Sequence, residues 1–384
     1  MTDDLIPNLA LLPSGLRDLL PPDAETEAAS VAAIMGAFAS HGYQRVVPPL
    51  LEFEDSLLAG SGAAVGDQIF RLMDPDTHRM MGLRADMTPQ VARIATTRLE
   101  GAARPLRLSY AGQCIHVRGA GLAAERQVAQ SGLELIGADT PSADAEIILV
   151  AADALAAVGL TRVSFDLTLP TLAAILLDHA AITGQQRAQL LHALDRKDAA
   201  AVTQHAGPLA GTLTQLLLAA GRADAALAAL QGADLPHAAR GLADRLAAVI
   251  SAVRAQQPDL RLTVDPLEFR GFRYHTGVSV TVYAPGRAEE LGRGGRYICG
   301  TAEPATGLTL FPDALLRAAV APAPRARLYI PFAEPRTFAS LAALRAEGWA
   351  TVAGLEPDAD LAAAARHLDC THILRAGQPV ALET

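Results

Sequence analysis

The run Gly292-Arg293-Gly294-Gly295-Arg296-Tyr297 is the first place to look for chemistry, because glycines let backbone N–H groups close on a phosphate. It lacks the Lys-Ser/Thr pair and the strand-to-helix setting of a P-loop, so a phosphate cradle is not expected. His116 and His275 offer imidazoles to a metal, but no third ligand stands at a usable spacing, and no metal is expected. Cys114, Cys299 and Cys370 are scattered and odd in number, which suits buried reduced thiols.

The elements that must position such residues are legible in outline. An apolar-faced helix is expected from about Asp23, as a capping residue, to Ser40, stopped by Gly42 and followed by an extended strand over 43–50. Residues 70–73 and 79–83 read as a hairpin around Asp74-Pro75-Asp76. A helix then opens with Thr88 as its cap and Pro89 at its first position. Residues 171–258 are rich in alanine and leucine at helical spacing. Strands return at 261–265 and 277–283. After Ala321-Pro322-Ala323-Pro324, residues 325–384 alternate strand and helix and are expected to form a small α/β domain.

Composition narrows the class. Hydrophobic residues make up 51% and charged ones 19%, so the chain is expected to be globular and ordered. No apolar run reaches membrane-spanning length and no basic-then-apolar leader is present, so no membrane partner and a cytoplasmic location are expected. The net charge is −9, and only Arg118, Arg126, Arg287, Arg293 and Arg296 hint at grouping, which argues against a tRNA partner.

Several segments resemble those of class II aminoacyl-tRNA synthetases, most closely the histidyl enzymes. Residues 110–137, Tyr-Ala-Gly-Gln-Cys-Ile-His-Val-Arg-Gly through Glu-Arg-Gln-Val-Ala-Gln-Ser-Gly-Leu-Glu-Leu-Ile-Gly, are similar to the ATP-binding hairpin called motif 2. Residues 13–19 (Pro-Ser-Gly-Leu-Arg-Asp-Leu), 83–93 (Leu-Arg-Ala-Asp-Met-Thr-Pro-Gln-Val-Ala-Arg) and 270–276 (Arg-Gly-Phe-Arg-Tyr-His-Thr) match further family strings. Gly307 to Leu316 resembles motif 3, and Gly294-Gly295-Arg296-Tyr297 resembles a family string that implies a turn placing Tyr297. The implied fold is α+β: an antiparallel class II sheet flanked by helices in a core of residues 1–322, a helical insertion at about 171–258, and a small C-terminal domain. The implied self-association runs through the helix and strand of residues 23–47.

What the resemblance implies about the site divides in two. Two arginines that bind ATP in the synthetases fall on His116 and Ala314, so the site is expected to be dead for adenylate formation. The residues that hold histidine are partly kept: Thr88, Gln130, Glu134, Arg270, Tyr274 and Tyr297 match, Asp86 stands one methylene shorter in a glutamate's place, and His275 stands where a ring-contacting tyrosine is usual. Carboxylates suit an ammonium and a ring N–H, and Arg270 suits a carboxylate. A histidyl-synthetase relative with neither arginine and a shortened tail resembles the regulatory subunits of ATP phosphoribosyltransferase. That family implies a non-catalytic role without cofactors, a short-form catalytic subunit as partner, a homodimer within a hetero-oligomer, and L-histidine as effector in the first step of histidine biosynthesis. The alternatives are a divergent histidine–tRNA ligase, which should keep both arginines, and a stand-alone histidine-binding scaffold.

Overall fold

The computed structural model describes residues 10–119, 125–269, 274–319, 325–335 and 337–382. Helix α1 (Asp23–Ser40) carries Asp23 and Glu25 in its first turn, where the helix dipole favours negative charge. No side chain caps it, contrary to the role expected of Asp23. It ends before Gly42, whose φ of +83° suits glycine and few other residues. The strand expected over 43–50 shrinks to β1 (Gln44–Arg45), parallel to Leu108 and Ser109 of a later strand, with Val46 N–H donating to the Ser109 carbonyl as the last ladder bond. Pro48 and Pro49 have no N–H to continue the ladder, and the chain leaves the sheet there.

A small antiparallel sheet follows, built from β2 (Leu51–Phe53), β3 (Arg71–Met73) and β4 (Met80–Leu83), with β4 central and the short helix α2 (Glu54–Leu57) between β2 and β3. Asp74 closes the β3–β4 turn by accepting from the Asp76 N–H and the Thr77 hydroxyl. Helix α3 (Thr88–Thr97) has Pro89 in its first turn, as expected. The capping carboxylate is that of Asp86, which accepts the Thr88 N–H at 3.1 Å; the Thr88 hydroxyl is drawn instead to the buried Tyr110 hydroxyl.

The main sheet has nine strands in the order β1-β5-β6-β12-β11-β10-β7-β9-β8. Its long members are β5 (Leu106–Ile115), β6 (Gln127–Ile136), β10 (His275–Tyr283), β11 (Glu290–Cys299) and β12 (Glu303–Leu310), all antiparallel to their neighbours within that central group. The short β7 (Ser164–Thr168), β8 (Gly221–Arg222) and β9 (Arg261–Asp265) complete one side. The glycine-rich run 292–297 is therefore a central strand and not a turn. Gly292 and Gly294 leave room for the backbone of β12, since a Cβ at either would collide with the Thr309 or Gly307 carbonyl. Close backbone approach explains the glycines better than a phosphate does.

One face of the sheet is covered by α4 (Pro141–Ala157), capped by the Thr140 hydroxyl. Helix α4 packs on α1, on β12 and on the long helix α10 (His237–Gln256). Between β7 and α10 run α5 (Leu172–His179), α6 (Gly184–Asp195), α7 (Ala199–His205), α8 (Ala210–Leu218) and α9 (Ala223–Gly232). Leu176, Leu194, Leu213, Leu216 and Leu246 are all fully buried there, each contributing roughly 1.5–3 kcal/mol by its burial. Helix α11 (Pro312–Ala318) follows β12 directly.

The chain divides into two compact units, Met1–Val320 and Ala321–Thr384. The second is a four-stranded sheet, β14 (Ala350–Ala353), β13 (Arg327–Ile330), β15 (His372–Arg375) and β16 (Gln378–Ala381), with α12 (Phe338–Ala346) and α13 (Leu361–His367). Thr337 and Asp360 cap its helices by accepting backbone N–H bonds. No described helix is long and apolar enough to cross a membrane. Cys114, Cys299 and Cys370 are buried free thiols.

Candidate functional site

The residues that sequence reasoning singles out come together on the central strands. Glu134 on β6 is 1% exposed and lies over Gly307 of β12, its register partner. A Cβ at Gly307 would overlap the Glu134 carboxylate, so the glycine is what lets the acid lie flat across the next strand. Tyr297, from β11 on the far side of β12, donates to Glu134 Oε2 at 2.9 Å. Tyr110 on β5 donates to Glu134 Oε1 at 3.3 Å. With that proton committed, the Tyr110 oxygen accepts from the hydroxyls of Thr309 at 2.8 Å and Thr88 at 3.1 Å. Gln130 Oε1 accepts the Met87 N–H at 3.0 Å and thereby ties β6 to the turn that carries Asp86 and Thr88.

Aromatic rings close the other wall. Tyr274 stacks on His275 with centroids 4.5 Å apart and planes at 22°, and meets Tyr297 edge-on at 6.0 Å. These side chains, with Thr88, Glu134, Arg293, Gly307 and Thr309, line a cavity holding about 190 Å³ of atom-free space.

Burial dominates the electrostatics. It pushes the Glu134 carboxyl up to about 8, helped by the nearby Asp86, against the opposing pull of the Tyr297 and Tyr110 hydrogen bonds. Asp86 is raised for the same first reason, with the Thr88 and Gln130 hydrogen bonds opposing. Burial, then the Arg293 charge, depresses His275 to about 3, so its ring is neutral. The phenols of Tyr110, Tyr274 and Tyr297 are held well above the ordinary range by burial.

Thr88, Glu134, Tyr274, His275 and Tyr297 line one pocket; Asp86 and Gln130 are not among its lining residues and instead hold the Thr88 and Met87 N–H groups, and Arg270 lies outside the described residues. Sequence reasoning missed Tyr110, Thr309 and Arg293 as members. Tyr110 left a readable sign: its register partner is Gly132, and its ring occupies the space a side chain there would need.

The expected phosphate end is built differently. His116 Nε2 lies 2.8 Å from the Ala85 carbonyl, so that nitrogen carries the proton and donates inward. Ala314 is 3% exposed in the apolar core. Beside it, Asp313 accepts the Ala129 N–H at 2.7 Å and faces Arg17 at 3.6 Å. The nearby basic groups are engaged with the chain itself. Arg126 donates to the His116 and Ser14 carbonyls, Arg317 to Glu289 and Glu125, and Arg293 to Glu290. Arg296 is 5% exposed and paired with Asp144. Among the described residues no three His, Cys, Asp or Glu side chains cluster as metal ligands.

The antiparallel sheet, the α1–β1 entry and the polar pocket on its central strands define a protein of the class II histidyl-tRNA synthetase type. The histidyl-tRNA synthetase family profile matches residues 15–315, and the fold resembles a histidyl-tRNA synthetase from Nostoc, with a TM-score of 0.75 at 19% identity over 95% of this chain and 91% of that one. Within that class the chain belongs to the family of ATP phosphoribosyltransferase regulatory subunits. It is 56% identical over 371 residues to the ATP phosphoribosyltransferase regulatory subunit of Gluconobacter oxydans, covering 97% of each chain. It is 54% identical over 367 residues to that of Paramagnetospirillum magneticum, covering 96% of each. A solved ATP phosphoribosyltransferase regulatory subunit/histidyl-tRNA synthetase from Bacillus halodurans superposes with a TM-score of 0.78 at 25% identity, covering 94% of this chain and 97% of that one.

Proposed function

We propose that this chain is a non-catalytic subunit that assembles with, and activates, a short catalytic subunit of ATP phosphoribosyltransferase, and that it carries the L-histidine feedback signal in the first step of histidine biosynthesis. One observation carries the reading. The amino-acid end of the pocket keeps a connected set of polar groups, Asp86, Thr88, Tyr110, Gln130, Glu134 and Tyr297, while the arginine positions of the phosphate end hold a histidine bonded to a backbone carbonyl and a buried alanine. Such a site has groups to recognise an amino acid, while the two arginine positions hold no guanidinium to stabilise charge at a phosphate. Binding of histidine acts on the catalytic partner only if the two states of the complex bind it differently. In this reading Arg270 takes the ligand carboxylate, Asp86 the ammonium and Glu134 a ring nitrogen. The subunit acts as a homodimer, without cofactor, tRNA or membrane, in the cytoplasm.

The test is reconstitution with a short catalytic subunit from the same organism. Activity that requires this chain and falls on addition of L-histidine supports the reading. Full, histidine-insensitive activity of the catalytic subunit alone, unchanged on mixing, overturns it.

A further inference from the structure

Lys197 is the only lysine of the chain, and its backbone stands where a side chain is unusual. It follows α6 at φ +54°, with its N–H donating to the Leu194 carbonyl and the Asp198 N–H donating to the Ala193 carbonyl. That pair of bonds ends a helix, and its left-handed position ordinarily belongs to glycine. Asp198 then caps α7 by accepting the Ala201 N–H at 3.0 Å. The Lys197 backbone is thus held between two helices of the insertion, while its ammonium meets carboxylates of another part of the chain.

Those carboxylates are Asp265 and Glu268, at 2.8 and 3.4 Å from Lys197 Nζ. Asp265 ends β9, and Glu268 lies in the turn that follows. Each acid uses its other oxygen on the turn itself. Asp265 Oδ1 accepts the Leu267 N–H at 3.2 Å, and Glu268 Oε1 accepts the Phe269 N–H at 2.9 Å. One ammonium therefore bridges both arms of the turn and ties it to the α6–α7 corner. Both acids are partly buried, so the bridge is screened less than a surface pair. Asp166 of β7 belongs to the same group: burial, then Asp265 and Glu268, push its carboxyl up, while the Thr263 hydroxyl at 2.8 Å and Lys197 oppose. Without the ammonium these three carboxylates repel one another.

The place of the turn in the chain gives the bridge a role. The turn ends at Phe269, directly before Arg270, and Tyr274 and His275 a few residues on line the pocket. Asp265 also pairs with Thr168, Thr168 with Ser279, and Ser279 with Gly295 of the pocket lining, so one row of ladder partners crosses from the bridge to the pocket. We infer that Lys197 is a positioning residue for the amino-acid pocket: anchored in the helical insertion, it fixes the Asp265–Phe269 turn that leads to Arg270 and the pocket wall. It acts without touching the ligand. The inference rests on the proposed function, in which Arg270 takes the ligand carboxylate. Substitutions that act on a binding site through other residues ordinarily change affinity about 2- to 30-fold.

The experiment is calorimetric titration of L-histidine into the full-length chain as wild type and Lys197→Met, with thermal melts confirming that each is folded. Lys197→Met keeps the apolar stem and removes the charge. It is expected to bind about 2- to 30-fold more weakly than wild type, yet to melt near it, because a partly exposed ion pair contributes little to stability. Isotope-labelled lysine gives a single lysine side-chain signal in wild type, and L-histidine is expected to shift that signal with the calorimetric midpoint. If Lys197→Met misfolds, Glu268→Gln serves in its place, since it keeps an acceptor for the Phe269 N–H and loses the charge that meets Lys197. Wild-type affinity in the folded variant, or a lysine signal that L-histidine leaves unmoved, overturns the inference and leaves the pocket reading standing. If wild type binds no L-histidine, the pocket reading itself fails, and the inference with it.

Discussion

Tyr297 donates to Glu134 at 2.9 Å from two strands away, and the strand between them passes under the contact at Gly307. The site is thus assembled across β6, β12 and β11 by the absence of one side chain. Gly307→Ala places a methyl where the carboxylate lies, so either the acid or the strand must move. A loss of about 1–3 kcal/mol is expected from overpacking at this position, visible in chemical denaturation, together with loss of L-histidine binding. A variant that melts and binds like wild type would show that Glu134 has free room above β12.

Glu134 also sets a pH dependence of stability. Its carboxyl is raised from 4.5 to about 8 by burial and then by Asp86, with Tyr110, Tyr274, Tyr297, His275 and Arg293 around it. An unfolded glutamate loses its proton near pH 4.5, while the folded one keeps it to about pH 8. Between those values the native state binds the extra proton, so its contribution to stability is fully present below the unfolded value and is lost as pH rises through the window. The slope approaches about 1.4 kcal/mol per pH unit for a single group. Urea denaturation at pH 5.5 and pH 8 should show this fall in wild type and a clearly smaller one in Glu134→Gln. Equal falls in the two proteins mean that the buried carboxyl is already ionised at pH 5.5.

The chain should not form histidyl-adenylate. His116 donates to the Ala85 carbonyl and Ala314 is buried, so neither arginine position presents a cation to a triphosphate. Two charge-assisted hydrogen-bond partners worth roughly 1.5–3 kcal/mol each are missing, enough to reduce activation by several orders of magnitude. The measurement is histidine-dependent pyrophosphate exchange; turnover at synthetase-like rates would refute the assignment.

Much of this was legible in the sequence, and the failures share a cause. Thr88, Gln130, Glu134 and Tyr297 could be named together only through the resemblance to the histidyl enzymes, because they sit on elements far apart in the sequence. The hairpin at 70–83 and the helices of 172–256 were readable. The strand over 292–297 was not, because glycines required by the neighbouring backbone of β12 erase the β-branched alternation that marks strands. Tyr110 and Thr309 contribute through pairing between residues almost two hundred positions apart, which no local pattern records.

Self-association is expected through α1 and β1. Strand β1 is one edge of the nine-stranded sheet, and beyond it Val47 is 74% exposed with Leu50 at 48%. An unpaired edge flanked by exposed apolar residues calls for cover, and a two-fold contact supplies the same patch from both copies. Sedimentation at micromolar concentration should give a dimer for wild type and a monomer for Val47→Asp. A wild-type monomer at that concentration would place the partner contact elsewhere.

The last prediction separates sensing from assembly. Burial keeps the proton on Glu134 up to about pH 8, whereas a ring N–H of bound histidine needs an acceptor, so ligand binding should ionise the acid and release that proton. Calorimetry in two buffers of different ionisation heat measures the release directly. Glu134→Gln abolishes it and removes the charged acceptor, so histidine inhibition of the reconstituted enzyme should weaken by about 5- to 150-fold, the range of ordinary allosteric coupling. Arg270→Ala should weaken it as well, by loss of the carboxylate partner. Co-purification with the catalytic subunit should persist in both variants, because the pocket lies among the central strands of the core. Inhibition unchanged in both would mean that the pocket is an inherited polar core and that histidine acts from another surface.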